Sequence, residues 1–193
     1  MDQDSAFPAS GEIGRIARRI DRPVVLVGMM GVGKTTVGRK LAAILDVPFL
    51  DADEEIERAA QMPIPEIFAT YGEPYFRSGE RRVIARLLDP RTLPQRKILA
   101  TGGGAFADPE TRALILDKAI SVWLDSDVET LLERVGRRDN RPLLRTGDPR
   151  EILTRLRNER RGAYEQAAIH VLSGNQPHTA TAHRILKAID AWL

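Results

Sequence analysis

The chain has 193 residues, of which 42% are hydrophobic and 29% charged, a composition that suits one globular domain and argues against a disordered chain. It has no cysteine, which excludes disulfides and thiolate metal sites, and its three histidines are scattered along the sequence. The net charge is only +2, so charge alone gives no reason to expect nucleic-acid binding, and no apolar run approaches the roughly 20 residues of a membrane span. Because the first ten residues also lack the features of a secretory signal, we expect a cytoplasmic protein.

Residues 1–22 are predicted to be an extension that precedes a single domain of residues 23–193. Within the extension, residues 12–20 carry apolar side chains at helical spacing. The arginines of this short helix are interpreted as a solvent-exposed face.

A glycine-rich loop lies between a predicted strand, residues 24–27, and a predicted helix. Its sequence is Gly28-Met29-Met30-Gly31-Val32-Gly33-Lys34-Thr35. The pattern G-x-x-x-x-G-K-[ST] in this context is typical of a phosphate-binding loop, whose backbone N–H groups face phosphate oxygens. Lys34 is expected to reach the β- and γ-phosphates, and the Thr35 hydroxyl to ligate Mg²⁺. A chance glycine turn is the alternative; a dinucleotide loop fits less well, because it requires glycine where Thr36 stands.

Two aspartates follow the second predicted strand, residues 47–50. Asp51 and Asp53 lie just beyond its carboxyl end, where open α/β sheets bind ligands. In an extended chain a spacing of two points both side chains the same way. Asp53 is also suited to cap the following helix, so a capping role and a ligand-binding role are both open.

A longer helix is predicted to begin near residue 75. Arg77 and Glu80 lie three residues apart on it and can therefore meet. They form either a surface ion pair or an arrangement in which Glu80 orients Arg77 towards an anion, and the spacing alone does not choose. Gly79 in the same helix is expected to cost about 1 kcal/mol relative to alanine.

A third predicted strand, residues 98–100, ends in a run of three glycines, Gly102-Gly103-Gly104. Glycines after a strand indicate close approach of the backbone to a ligand, with a flexible turn as the alternative. After the fourth strand, residues 120–124, Ser126 and Glu129 have the spacing of a helix capping box.

Residues 134–150 combine six arginines with glycine and proline. This composition predicts a mobile lid over charged phosphates. An RNA-binding patch is the alternative, although no aromatic residue is interleaved for stacking. The last strand is predicted at residues 169–172, followed by a closing helix whose inward residues are Ile185, Leu186, Ile189 and Trp192.

This ordered set of motifs resembles the shikimate kinases, a P-loop kinase family related in fold to the nucleoside monophosphate kinases. The resemblance runs from about Val24 to the C-terminus. The residues that carry it are the loop at 28–36, Asp51-x-Asp53, Phe76-Arg77 with Glu80, Gly102-Gly103-Gly104, Arg141-Pro142-Leu143-Leu144, and Arg160 four residues before Tyr164.

The resemblance implies an α/β fold with three layers, α/β/α, around a five-stranded parallel sheet of P-loop kinase type. It also implies a substrate-binding insertion at about residues 52–89 and a lid at about 134–149. The implied reaction transfers the γ-phosphoryl group of MgATP to the 3-hydroxyl of shikimate, a step toward chorismate and the aromatic amino acids. ATP, ADP and shikimate are then the partners, with Mg²⁺ as cofactor; we expect a monomer that binds neither nucleic acid nor membranes.

Site residues follow from the resemblance position by position. The implied ATP-binding residues are Gly31, Val32, Gly33, Lys34, Thr35, Thr36, Arg134 and Arg141. The implied substrate-binding residues are Asp53, Arg77, Gly102, Gly103, Gly104 and Arg160. Thr35 and Asp51 are the implied metal ligands, and Lys34, Asp53 and Arg141 the implied catalytic residues. The two substrate arginines would clamp the shikimate carboxylate, which suits the fork geometry of guanidinium groups.

The sequence departs from the family pattern in two places. Where the family usually has Arg-Asn-Pro-Leu-Tyr, this chain has Arg160-Arg161-Gly162-Ala163-Tyr164, which makes Arg161 a rival to Arg160. The adenine loop near Gln176 and Pro177 aligns poorly. The alternative functions are a kinase resembling gluconate kinase, which would not need two arginines for a carboxylate, and a nucleotide-binding regulatory module without catalysis.

Overall fold

Five parallel strands form the centre of the computed structural model, which describes residues 10–91, 94–136 and 147–193. Their order across the sheet is β2-β3-β1-β4-β5. The strands are β1 (Val24–Val27), β2 (Phe49–Asp51), β3 (Ile98–Ala100), β4 (Ile120–Asp125) and β5 (Ile169–Leu172). The α/β fold with a five-stranded parallel sheet is thereby confirmed.

Eight helices are present in the described part of the chain. They are α1 (Ser10–Arg19), α2 (Lys34–Leu45), α3 (Ala52–Ala60), α4 (Ile64–Leu87), α5 (Pro109–Lys118), α6 (Val128–Gly136), α7 (Pro149–Tyr164) and α8 (His178–Trp192). Gly72 interrupts α4 with φ 78° and ψ 173°, so the longer helix predicted to begin near residue 75 is the second half of one kinked element. Within the described ranges, none of these helices is long and apolar enough to cross a membrane.

The order of the strands places the loops after β1 and β3 side by side. The chain leaves β1 through α2 towards β2, and it leaves β3 through α5 in the opposite direction, towards β4. Right-handed crossovers in opposite directions run over opposite faces of a sheet. A crevice between two such neighbouring strands is where open α/β sheets bind their ligands.

The core lies on both faces of the sheet. All four residues of β1 are fully buried, which explains why the strand reads as an unbroken apolar run. The edge strand β5 alternates instead, with Ile169 and Val171 buried and His170 and Leu172 exposed. The buried side chains of α8 include the predicted Ile185, Leu186 and Ile189.

Helix α1 belongs to the same core as the rest of the domain. Ile16 and Ile20 are buried in it, and the helix packs against both α2 and α8. Its arginine face is not merely solvated, because Arg15 and Arg19 both pair with Asp190 near the end of α8; the Arg15 Nη2–Asp190 Oδ2 distance is 2.8 Å.

Two predicted helix caps are wrong by one or two residues. Because α3 begins directly after β2, its cap is Asp51, whose carboxylate accepts the N–H of Asp53 at 3.0 Å. Helix α6 begins at Val128, so its first turn is capped by Asp127 rather than by Ser126.

The prediction that Trp192 faces inward is also wrong. Its side chain is 47% exposed, because it is the last residue of α8 and lies beyond Ile189, the last core residue of that helix. Helical spacing identifies the face of a residue, but not where the covering elements end.

Candidate active site

The loop after β1 has the backbone conformation of a phosphate-binding loop. Gly28, Gly31 and Gly33 have φ angles of 135°, 82° and 100°, in the region that residues with a Cβ rarely adopt. Helix α2 begins immediately afterwards at Lys34. The unpaired N–H groups and positive dipole end of a helix start therefore face the loop, an arrangement that attracts anions.

The polar side chains at the end of this loop are positioned by hydrogen bonds. The buried Lys34 amine donates to the carbonyl oxygens of Gly28 and Met29, at 2.7 and 2.9 Å. The Thr35 hydroxyl donates to Asp51 Oδ2 at 2.8 Å. A hydroxyl beside a carboxylate offers the hard oxygen ligands that Mg²⁺ prefers. Among the described residues no cluster of three or more acidic or histidine side chains could hold a metal by itself.

The other predicted nucleotide-binding residues of the loop differ in how far they are buried. Val32 is fully buried, so its side chain belongs to the core, while Gly31, Gly33 and Thr36 are half-buried. Residues implied for ATP binding at 31–36 thus lie together around the start of α2.

Arg134, on α6, connects this loop to the loop that follows β5. Its guanidinium donates to Val32 O at 3.0 Å and to Gly174 O at 2.5 Å. Burial lowers the pKa of Arg134. Arg134, which the resemblance implies for ATP binding, is therefore anchored between the phosphate loop and the start of the segment that contains Gln176 and Pro177.

Two of the three glycines after β3 face charged side chains. A methyl group built on Gly102 would lie 2.8 Å from Asp53 Oδ1 and 3.0 Å from Glu80 Oε1. A methyl group built on Gly104 would lie 2.7 Å from Arg77 Nη1 and 2.8 Å from its Cζ. Glycine leaves room for these groups in their present positions, so the run is closely packed against side chains, while its close approach to a ligand stays a prediction.

The middle glycine, Gly103, faces α7 and the phosphate loop. Arg160 Nη1 donates to Gly103 O at 2.9 Å. A methyl group built on Gly103 would lie 3.0 Å from the backbone nitrogen of Met30. The rival Arg161 is exposed and pairs with Glu165 at 2.7 Å. The structure therefore places Arg160, and not Arg161, at the glycine run.

Arg77 is oriented by two glutamates. Its Nη1 pairs with Glu80 Oε2 at 2.7 Å, and its Nη2 with Glu73 Oε1 at 3.0 Å. Burial opposes the charge on Arg77, but Glu80 and Glu73 outweigh it and raise the pKa of the guanidinium. Burial also raises the pKa of Glu80, which is only 1% exposed and whose Oε1 accepts no hydrogen bond within the described ranges. Of the two interpretations of the pair, the orienting one fits this burial.

Arg141 and most of the predicted lid lie outside the described residues, which leave out 137–146. In the described residues that follow, Asp148 caps α7 by accepting the N–H of Arg150 at 2.9 Å.

Sequence reasoning missed two residues that contact these loops. The Tyr164 hydroxyl donates to Gly103 O, and a methyl group built on Gly33 would lie 3.3 Å from Cε1 of His178. The spacing of four between Arg160 and Tyr164 was the available signal for the tyrosine, since it puts both side chains on one face of α7. His178 had no such signal, because its contact depends on the arrangement of α8 relative to the first loop.

Comparison with known proteins places the chain in a family. A family model described as shikimate kinase matches residues 30–190. A shikimate kinase of Novosphingobium aromaticivorans is 72% identical over 193 residues, which cover 100% of both chains. One from Caulobacter vibrioides is 56% identical over 168 residues, 87% of this chain and 82% of the relative. The first alignment includes residues 1–22, so the resemblance extends further than the expected limit at Val24.

Comparison with a solved structure indicates the same family. A shikimate kinase from Acinetobacter baumannii in complex with shikimate is 36% identical, covers 91% of this chain and 97% of its own, and superposes with a TM-score of 0.84. Sequence, fold and the order of the motifs agree, and this chain belongs to the shikimate kinase family.

Proposed function

We propose that this protein transfers the γ-phosphoryl group of MgATP to the 3-hydroxyl of shikimate, giving shikimate 3-phosphate and ADP. The observation that carries the proposal is the convergence of Asp53, Arg77 and Arg160 on the glycine run, next to Met30 of the phosphate loop. Two guanidinium groups and one carboxylate at the same loop suit an acceptor that has both a carboxylate and hydroxyl groups.

The residues divide between the two substrates. The N–H groups of the phosphate loop and Lys34 bind the β- and γ-phosphates, and Arg77 and Arg160 bind the acceptor carboxylate. Thr35 and Asp51 fit Mg²⁺, which would neutralise charge on the phosphates when bound.

Asp53 orients the acceptor hydroxyl in this proposal. The hydroxyl oxygen forms a bond to the γ-phosphorus while the bond from phosphorus to the ADP oxygen breaks, and the hydroxyl proton passes to Asp53. Because the transition state of phosphoryl transfer is loose, positioning and charge stabilisation contribute more than the strength of the base.

The function is tested by measuring ADP release with MgATP and a panel of hydroxyl acceptors that includes shikimate and gluconate. We expect turnover with shikimate to exceed that with the other acceptors by orders of magnitude. Faster turnover with gluconate would favour the gluconate kinase alternative, and ATP binding without any acceptor turnover would favour a regulatory module.

The role of Asp53 is tested with Asp53→Asn, which keeps the shape of the side chain and removes its charge. We expect kcat to fall by at least about 100-fold while ADP binding is retained. Asp117→Asn makes the same change at an exposed side chain on α5, and this matched control should leave kcat unchanged. Full turnover in the Asp53→Asn protein would refute the role.

Arg141 is proposed to balance charge on the transferring phosphoryl group. Arg141→Ala should therefore lower kcat more than it weakens shikimate binding. The reverse pattern, a weakened affinity for shikimate with kcat retained, would place Arg141 at the acceptor instead.

A further inference from the structure

Helix α7 contacts the Gly103 carbonyl with two side chains. Arg160 Nη1 donates to this oxygen at 2.9 Å, and the Tyr164 hydroxyl donates to the same oxygen. The two residues are four apart, so they lie on one face of the helix, one turn from each other. The middle peptide of the glycine run is therefore fixed by a pair of donors from one rigid element.

Tyr164 also reaches the phosphate loop. Its hydroxyl oxygen lies 3.9 Å from Met29 Sδ, and the backbone nitrogen of the next residue, Met30, faces Gly103. Tyr164 thus lies where the loop after β1 meets the loop after β3, at the crevice between the two strands.

The position of the hydroxyl is determined by the packing of the ring. Tyr164 is 1% exposed and stacks on Trp123 and Phe106, with ring centroids 5.9 and 6.5 Å away. Burial raises the pKa of the phenol to about 12, against a smaller opposing effect of Arg160, so the group remains a hydrogen-bond donor at neutral pH.

We propose that Tyr164 is a positioning residue for the acceptor. It fixes the Gly103 peptide, so that Gly102 and Gly104 keep their close approach to Asp53 and Arg77. It also shares the binding of the Gly103 carbonyl with Arg160. A guanidinium has five N–H donors. With the tyrosine in place, Arg160 contributes one donor to the loop and keeps others for the acceptor carboxylate. The inference rests on the proposed function, because it assigns Tyr164 to the site of that acceptor.

The test is Tyr164→Phe, which removes one oxygen and keeps the stacked ring. We expect the KM for shikimate to rise about tenfold, because a change of this size corresponds to the loss of roughly one hydrogen bond. The values of kcat and of the KM for ATP should stay within about twofold of the wild type. Tyr71→Phe removes the same atom from an exposed side chain and should change none of these values.

The outcomes separate three explanations. A lower melting temperature with both KM values unchanged would mean that Tyr164 is only structural and would overturn the inference. A rise in the KM for ATP alone would assign Tyr164 to the phosphate loop and would also overturn it. If the wild-type protein has no activity with shikimate, the proposed function itself fails, which the wild-type assay shows independently of any variant.

A second variant covers the case in which Tyr164→Phe does not fold. Replacing Tyr164 by 3-fluorotyrosine keeps the hydroxyl and makes its proton more acidic. The KM for shikimate should then rise at alkaline pH earlier than in the wild type, because the donor is lost when the phenol ionises. Identical pH profiles for the two proteins would overturn the inference.

Discussion

The three glycines after β3 each accommodate a different partner. Gly102 leaves room for two carboxylates, Gly103 for the Met30 backbone, and Gly104 for the Arg77 guanidinium. A side chain at any of these positions would displace one particular group, so substitutions at neighbouring glycines should have different kinetic effects.

Gly104→Ala is expected to displace Arg77, because the added methyl group would lie 2.8 Å from the guanidinium carbon. The KM for shikimate should rise about tenfold or more, because one charge-assisted hydrogen bond is lost, and the KM for ATP should be unchanged. Steady-state kinetics with each substrate varied in turn checks this. An unchanged KM for shikimate would show that the arginine does not contact it.

Gly79→Ala is the matched substitution, because Gly79 lies in α4 two residues after Arg77 and a methyl group built on it would meet nothing within 4 Å. It should leave both KM values unchanged and increase the free energy of unfolding by about 0.5–1 kcal/mol, since alanine is the better helix former. Urea denaturation measures the change, and a destabilised Gly79→Ala protein would contradict the helix assignment there.

Burial of Tyr164 predicts a pH dependence of stability. The folded-state pKa, about 12, lies above the ordinary value of 10.0, so the folded protein binds the phenolic proton more tightly than the unfolded chain does. This contribution is fully present below pH 10 and is lost as the pH rises towards 12; it is on the order of 2–3 kcal/mol. The stability advantage of the wild type over Tyr164→Phe should therefore shrink above pH 10 in urea titrations, whereas a constant difference would contradict the raised pKa.

Some residues of the site could be predicted from the sequence and others could not. Motif spacing predicted Asp53, Arg77 and the glycine run as site candidates, because ligand-binding loops have restricted sequences, and the structure brings the three together. Their contacts with a substrate stay a prediction. It did not identify the cap of α6 at Asp127, because a shift of one residue in where a helix begins changes which side chain reaches its free N–H groups. The contact of His178 with Gly33 depends on tertiary packing, for which a single sequence has no signal.

At the scale of elements, α1 shows how an apparently separate segment joins the domain. Its apolar side chains Ile16 and Ile20 enter the main core, and its arginines pair with α8. The helical period predicted the element but not its partner, because the spacing of apolar residues within a helix carries no information about which other helix covers them.

Ile16→Ala should lower the free energy of unfolding by about 2–5 kcal/mol, because it leaves a cavity in a fully packed core. Asp190→Asn removes the partner of Arg15 and Arg19 and should have a much smaller effect, since exposed ion pairs contribute little. Urea denaturation of the two variants compares them. A larger loss for Asp190→Asn would mean that charge pairing, and not apolar packing, attaches α1.

At the scale of the whole molecule, the sheet order brings the two substrate loops to one crevice. Strands β1 and β3 are neighbours although 70 residues or more separate them in the chain, as the pairing of Val25 with Leu99 shows. The family resemblance predicted this parallel sheet; propensity alone could identify strands but not their order.

Ligand binding should therefore stabilise the whole domain. At 100 times its dissociation constant a ligand adds about 2.7 kcal/mol, which corresponds to a rise in melting temperature of about 5–10 °C for a chain of this size. We expect such a rise with shikimate and with MgADP. The Arg77→Ala protein should lose the shift with shikimate and keep the shift with MgADP; loss of both would show that Arg77 supports the fold rather than one substrate.

The location of α1 has a practical consequence for such measurements. Arg96, just before β3, donates to Ala17 O at 3.3 Å, so α1 lies near the amino ends of the strands, while the substrate loops follow their carboxyl ends. A protein immobilised on a biosensor surface through its N-terminal region would thus present its binding crevice to the flowing solution, and small-molecule affinities could be recorded without blocking entry.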